Sequence, residues 1–263
     1  MGIININDDS FSRDGRLDPA WALKRAKQLA DEGADIIDIG AESARTNRPA
    51  ISEKEEIARL RPFVEQFVEL FKEHPSPPLL SINTWRPTVV EAILPLGGDL
   101  LNDMGGLSDD RNAKLCAQHG AALLIMHTIG MPKVPHDHIT YPDVMESLHD
   151  FFAEKIALAL TAGVPREALI LDPGIDFAKQ TDDNLSIYRH LSRLHQLDLP
   201  ILLPISRKSV IGRVLGIRDP VERDAGTVAC LVAGMLRGAA IFRVHNVPMA
   251  KQTIAAVKAV MED

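Results

Sequence analysis

Eight short apolar runs, each followed by a longer stretch with helical periodicity, limit what this chain can fold into. The runs cover residues 2–6, 34–40, 79–84, 99–102, 121–127, 168–173, 200–206 and 239–244. Several are nearly continuous hydrophobic strings, such as Ala168-Leu169-Ile170-Leu171 and Ile201-Leu202-Leu203, the pattern of parallel strands covered on both faces. The intervening stretches carry helix signals. Asp18 before Pro19 sets an N-cap and a first-turn proline, and Ser52 with Glu55 forms a capping box. Within residues 52–72, Ile57, Leu60, Val64, Phe67, Val68 and Phe71 recur at helical spacing. They predict one apolar face, with Pro62 kinking the helix without ending it.

Eight β/α units in 263 residues come to about 33 residues each, close to the roughly 30 of a minimal βαβ unit. The predicted fold is α/β, a single (β/α)8 TIM barrel spanning residues 1–263. A doubly wound open sheet would bring a glycine-rich first turn, which is absent.

Charge narrows the partners. The chain has 29 Lys and Arg against 36 Asp and Glu, a formal charge of −7, and no basic stripe of the kind nucleic acids require. The longest apolar runs fall far short of the ~20 residues of a membrane span, and the N-terminus has no basic segment followed by an apolar one. Cys116 and Cys230 stand apart, so a reduced, cytoplasmic protein is expected.

In a barrel the chemistry belongs at the C-terminal ends of the strands. Asn5 ends the first, Glu42 and Arg45 follow the second, the third carries Asn83, and the fourth ends in Asn102-Asp103. His127 ends the fifth, Asp172 the sixth, Ser206-Arg207-Lys208 the seventh, and the eighth delivers Arg243 and His245. Acceptors (Asn83, Asn102, Asp172) thus face cations (Arg45, Lys208, Arg243, His245) across one mouth. Such a cup suits a flat heterocycle rich in N–H groups with an anionic tail. Asp172 reads either as an acceptor of two hydrogen bonds or as a turn carboxylate. Ser209, opening the helix after the seventh strand beside Lys208, marks an anion site.

The ordered set resembles the dihydropteroate synthases over the full chain. It comprises Met1-Gly2-Ile3-Ile4-Asn5, Asp38-Ile39-Gly40 with Glu42-Ser43 and Arg45, Asn102-Asp103, Met126-His127, Asp172-Pro173-Gly174, Ser206-Arg207-Lys208-Ser209 and Arg243-Val244-His245. The resemblance implies condensation of 6-hydroxymethyl-7,8-dihydropterin diphosphate with p-aminobenzoate, releasing diphosphate. It implies a pterin site at Asn83, Asn102, Met126, Asp172, Phe177, Lys208 and Arg243, and diphosphate handling by Arg45, Arg243, His245 and Asn5 with Mg²⁺ on the Asn5 side. It also implies a p-aminobenzoate site at Ala44, Thr46 and Ser209, and a homodimer. Arg45, Lys208, Arg243 and His245 are the implied catalytic residues.

Four segments depart from the family pattern: Asn7-Asp8 for Thr-Pro, Ala44 with Thr46-Asn47 in the second loop, Asn83 for Asp, and Asp176 for Gly. They motivate one alternative, a pterin-binding paralogue without synthase chemistry. A shared barrel and Asp/Asn pterin clamp motivate a second, a methyltetrahydropterin-dependent methyltransferase, against which Ser206-Arg207-Lys208-Ser209 and Arg243-Val244-His245 argue. Asp38 and Glu42 read as structural, because the implied chemistry needs no strong base. His136 and His138 read as solvated polar residues in a loop that can act as a lid.

Overall fold

The computed structural model describes residues 1–7, 15–43, 49–136 and 138–261. Strands and helices alternate along it. β1 (Gly2–Asn5) leads to α1 (Pro19–Asp31), β2 (Ile36–Gly40) to α2 (Glu53–Phe71), β3 (Leu79–Asn83) to α3 (Pro87–Ile93), and β4 (Leu100–Asp103) to α4 (Arg111–His119). β5 (Ala122–Met126) leads to α5 (Val144–Thr161) and β6 (Leu169–Asp172) to α6 (Thr181–His190). β7 (Leu202–Leu203) is followed by α7 (Ser209–Leu215) and α8 (Asp224–Met235), and β8 (Ile241–Phe242) by α9 (Val247–Met261). The expected caps form: Asp18 accepts the Ala20 N–H at 3.0 Å and Ser52 the Glu55 N–H at 3.2 Å. α2 runs unbroken across Pro62. Its buried face is Leu60, Phe63, Val64, Phe67 and Phe71; Val68, predicted on that face, is 60% exposed, and Phe63 takes its place.

The strands pair in parallel in the order β1-β2-β3-β4-β5-β6, and β7 pairs with β8. Two single bridges close the ring, Leu171 with Ile201 and Gly2 with Val244. The Leu171 N–H donates to the Pro200 carbonyl at 3.0 Å and the Val244 N–H to that of Met1 at 2.9 Å. This is the closed (β/α)8 barrel that the repeat count predicts.

Strand side chains alternate with period two. Ile37, Ile39, Leu80, Ile82, Leu101, Leu123, Ile125, Leu169 and Leu171 point outward and pack against the helices. The inner face holds a smaller apolar cluster of Met1, Leu100, Leu124, Met126 and Leu202. Above that cluster the inner positions turn polar. Asp38, Ser81, Asn83, Asn102 and Asp172 are all buried at 5% exposure or less. These strands therefore depart from the expectation of apolar cover on both faces: the inner face carries a polar layer toward its C-terminal end.

Candidate active site

Register builds that polar layer. Asp38 pairs with Ser81, Gly40 with Asn83, and Asn83 with Asn102, so residues far apart in sequence stand side by side on the inner wall. Asp38 is their hub. One carboxylate oxygen accepts from Ser81 Oγ at 2.6 Å and Asn102 Nδ2 at 3.1 Å; the other accepts from Asn83 Nδ2 at 3.1 Å and from Arg243 Nε at 2.8 Å. A second guanidinium nitrogen of Arg243 reaches that same oxygen at 2.7 Å. Burial alone would raise the Asp38 pKa, but Arg243 and the three side-chain donors outweigh it and hold the carboxyl below the usual range. The structural reading of Asp38 holds, and its consequence is larger than the sequence suggested, because it orients two acceptor amides and one cation at once.

With its amide nitrogen committed to Asp38, Asn83 is left with a buried Oδ1 that no donor among the described residues meets. A buried acceptor in that condition is costly unless a ligand donates to it. Asn83 lines a cavity of about 480 Å³ at the barrel mouth, together with Asn5, Phe177, Lys208, Ser209, Arg243 and His245. An aspartate beside Asp38 would put two carboxylates in contact; the amide avoids that repulsion and keeps the acceptor.

Asp172, 3% exposed, accepts the Gly174 N–H at 2.7 Å. Gly174 is required there, since its φ is +66° and a Cβ would lie 2.0 Å from the His127 carbonyl oxygen. Burial pushes the Asp172 carboxyl up to about 6, against the pull of the Gly174 N–H and the neighbouring Lys208, Lys179 and Arg243 charges. A ligand edge of N–H donors requires the carboxylate form. Affinity for 6-hydroxymethylpterin is therefore expected to weaken below about pH 6, approaching tenfold per pH unit, and to level off above it. Titration calorimetry between pH 5 and 8 checks this, and a flat profile would show that Asp172 does not meet the ring. Met126, 1% exposed, lies in the inner cluster beneath, and Phe177 packs on that cluster. Lys208 Nζ stands 4.8 Å from the Phe177 ring centroid and donates to the Ile175 carbonyl at 2.9 Å. It thus covers one face of the ring that the resemblance assigns to pterin stacking.

On the cation side, Ser206 Oγ lies 2.8 Å from His245 Nδ1 and accepts the His245 backbone N–H at 3.2 Å. Arg243 and His245 share the cavity wall with Asn5. Arg45, Ala44 and Thr46 lie outside the described residues. Glu42 is held by Arg86 at 2.6 Å and Lys133 at 3.5 Å, a structural anchor for the start of the second loop. Met131, Pro132, Lys133, Val134 and His136 bring the loop after β5 over the mouth, and Lys133 also donates to the Ser43 carbonyl at 2.9 Å.

Three strand-end residues stand elsewhere. His127 turns outward onto the Phe151 ring, with centroids 4.7 Å apart, and contacts Lys179 Nζ at 2.8 Å. Burial and the Lys179 charge push its pKa down to about 2, so it is a neutral packing residue. Asp103 also faces outward, accepting from Asn112 Nδ2 at 2.8 Å and the Gly105 N–H at 2.8 Å. Arg207 is paired with Asp224 at 2.8 Å. The Ser209 N–H, read as part of an anion site, donates to the chain's own Asp176 at 2.5 Å. Sequence reasoning missed the roles of Ser81 and Lys133; the phase of the strand alternation would have found Ser81, which sits two residues before Asn83, but nothing local marks Lys133.

Comparison with known proteins identifies the family. The family model described as pterin binding enzyme matches residues 1–245. The dihydropteroate synthase of Escherichia coli K12 is 36% identical over 261 residues, covering 99% of this chain and 89% of the relative. The structure of Yersinia pestis dihydropteroate synthase with a sulfonamide drug complex superposes with a TM-score of 0.91 at 35% identity, covering 99% of this chain and 92% of that one. Xanthomonas albilineans dihydropteroate synthase with 4-aminobenzoic acid gives a TM-score of 0.89 at 33% identity, covering 100% and 93%. The chain therefore belongs to the pterin-binding enzymes and, within them, to the dihydropteroate synthases.

Proposed function

We propose that this chain joins 6-hydroxymethyl-7,8-dihydropterin diphosphate to p-aminobenzoate, with the pterin ring against the polar layer around Asp38 and the diphosphate at Arg243 and His245. The observation that carries the reading is the buried Asn83 Oδ1, an acceptor on the cavity wall that meets no donor among the described residues. Asp172, Asn102 and Asn83 offer acceptors to the N–H edge of the ring, and Lys208 supplies the cation among them. This orients the exocyclic methylene toward the cation side, where Arg243 and His245 neutralise the diphosphate; the resemblance adds Arg45, which lies outside the described residues.

The methylene–oxygen bond breaks and its electron pair leaves with diphosphate. The arylamine lone pair then forms the new carbon–nitrogen bond, and the displaced amine proton passes to solvent. No side-chain nucleophile takes part. The amide of Asn5 is a hard oxygen donor of the kind Mg²⁺ accepts, and among the described residues no cluster of three His, Cys, Asp or Glu side chains offers an alternative cage. Mg²⁺ bound there by Asn5 and diphosphate oxygens would supply further neutralisation of the leaving group.

Mixing the chain with both substrates and Mg²⁺ is expected to release diphosphate at a rate that falls at least about tenfold with a chelator. Absence of release with all three present would overturn the reading. A cytoplasmic homodimer completes the proposal. Among the described residues no helix is long and apolar enough to cross a membrane. Sedimentation of a monomer at micromolar concentration would remove the dimer from it.

A further inference from the structure

Asp176 lines the mouth beside Lys208, Ser209 and Arg213, yet its carboxylate turns back onto the chain. It accepts the Ser209 N–H at 2.5 Å and the Val210 N–H at 3.2 and 3.3 Å. The Asp176 backbone N–H donates to Oδ1 of the fully buried Asn184 at 2.8 Å, and Asn184 Nδ2 lies 3.5 Å from the Asp176 carboxylate. Its φ of +66° is in the left-handed region, which glycine occupies most easily and Asp and Asn better than other residues. A side chain is thus kept at a conformationally unfavourable position, held from two sides, with its negative charge on the cavity wall.

The consequence is chemical. A carboxylate arriving at this corner meets two backbone donors already engaged and a like charge beside them. An uncharged amide of the same shape finds the same donors engaged but meets no like-charge repulsion. Resting on the synthase reading above, we propose that Asp176 sets acceptor specificity, narrowing the margin by which the chain prefers p-aminobenzoate over uncharged arylamines. The discrimination works by an internal anion that an external one must displace, a repulsive device aimed at one class of substrate.

The probes are p-aminobenzoate and p-aminobenzamide, which share the ring and the reacting amine and differ in charge. The quantity to measure is the ratio of kcat/KM for the benzoate to that for the benzamide, in the unaltered chain and in Asp176→Gly and Asp176→Asn. The first variant suits the backbone conformation; the second keeps the side-chain size and one acceptor oxygen while removing the charge. The ratio is expected to rise about tenfold or more in both variants, mainly through a lower KM for the benzoate.

Binding gives a readout independent of turnover. With 6-hydroxymethylpterin and inorganic diphosphate present, the calorimetric Kd of p-aminobenzoate should fall by a similar factor in both variants, while that of the benzamide changes less than about threefold. Unchanged ratios and unchanged Kd values, with or without a shift in Tm, would make Asp176 a helix cap and overturn the proposal. If the unaltered chain releases no diphosphate with either acceptor but the Kd values shift as stated, the synthase reading fails and the role of Asp176 stands.

Discussion

Asp38→Ala is expected to lower kcat/KM for diphosphate release by at least about a thousandfold and to destabilise the fold by about 3–5 kcal/mol. The carboxylate is fully buried and serves Ser81, Asn83, Asn102 and Arg243 together. Its removal leaves four donors without their acceptor, one of them the Arg243 cation that is to meet the diphosphate. Misplacing reacting groups by about 1 Å already costs about a hundredfold, and here both the ring acceptors and the cation lose their anchor. At about 2–4 °C per kcal/mol for a chain of this size, Tm should fall by roughly 6–20 °C. Asp38→Asn keeps the volume and separates charge from shape: its Tm loss should be smaller, while kcat still falls because Arg243 has lost its counter-ion. Near-native activity in both variants would show that Asp38 does not organise the site.

The second large effect carries opposite signs for activity and stability. Asp172→Asn exchanges one of two acceptor oxygens for a donor, which meets the N–H edge of the pterin with the wrong polarity. Two charge-assisted hydrogen bonds at about 1.5–3 kcal/mol each put the expected loss of pterin affinity at about a hundred- to ten-thousandfold. Stability should move the other way. The folded-state pKa of Asp172, about 6, lies above its ordinary value of 3.8, because burial penalises the charged form. Stability from this group is therefore full at pH below about 3.8 and is lost as pH rises to about 6, a loss of order 3 kcal/mol at pH 7. The asparagine variant does not ionise and escapes that loss, so at pH 7 it should unfold about 1–3 kcal/mol later than the unaltered chain, and the difference should vanish toward pH 4. Equal stability of the two proteins at both pH values would sink this account of Asp172. A functional carboxylate kept at the expense of stability fits a residue whose partner is the substrate.

Asn83 is the departure that the structure explains best. Aspartate at that position would replace the Asn83 Nδ2 hydrogen bond to Asp38, 3.1 Å long, with a second carboxylate. The amide donates to Asp38 and still presents an oxygen to the mouth. The departure therefore costs the pterin wall a charge and leaves its acceptor in place.

Much of the architecture was legible without coordinates, because it depends on local signals. The β/α alternation, the Asp18 and Ser52 caps and the apolar face of α2 follow from patterns spanning a single element. So does the placement of Asn83, Asn102, Asp172 and Arg243 at strand ends, since a barrel puts every C-terminal strand end at one mouth. The errors share a cause as well. A strand end has two faces, and the sequence does not state which one a terminal residue takes: His127 and Asp103 turned outward, while Asp38 and Ser81 turned in.

What the sequence by itself determined is the eightfold repeat, the mouth at which chemistry gathers, and the acceptor and cation types found there. The tertiary structure alone decided who partners whom. Asp38 meets Arg243 across 205 residues, and Asp176 meets Ser209 across 33, because strand register and loop trajectory bring them together. Such contacts follow from closing the ring and from loop-to-helix packing, and no period along the chain encodes them. A position that reads as an anion site from its own residues was thereby filled by an anion of the chain.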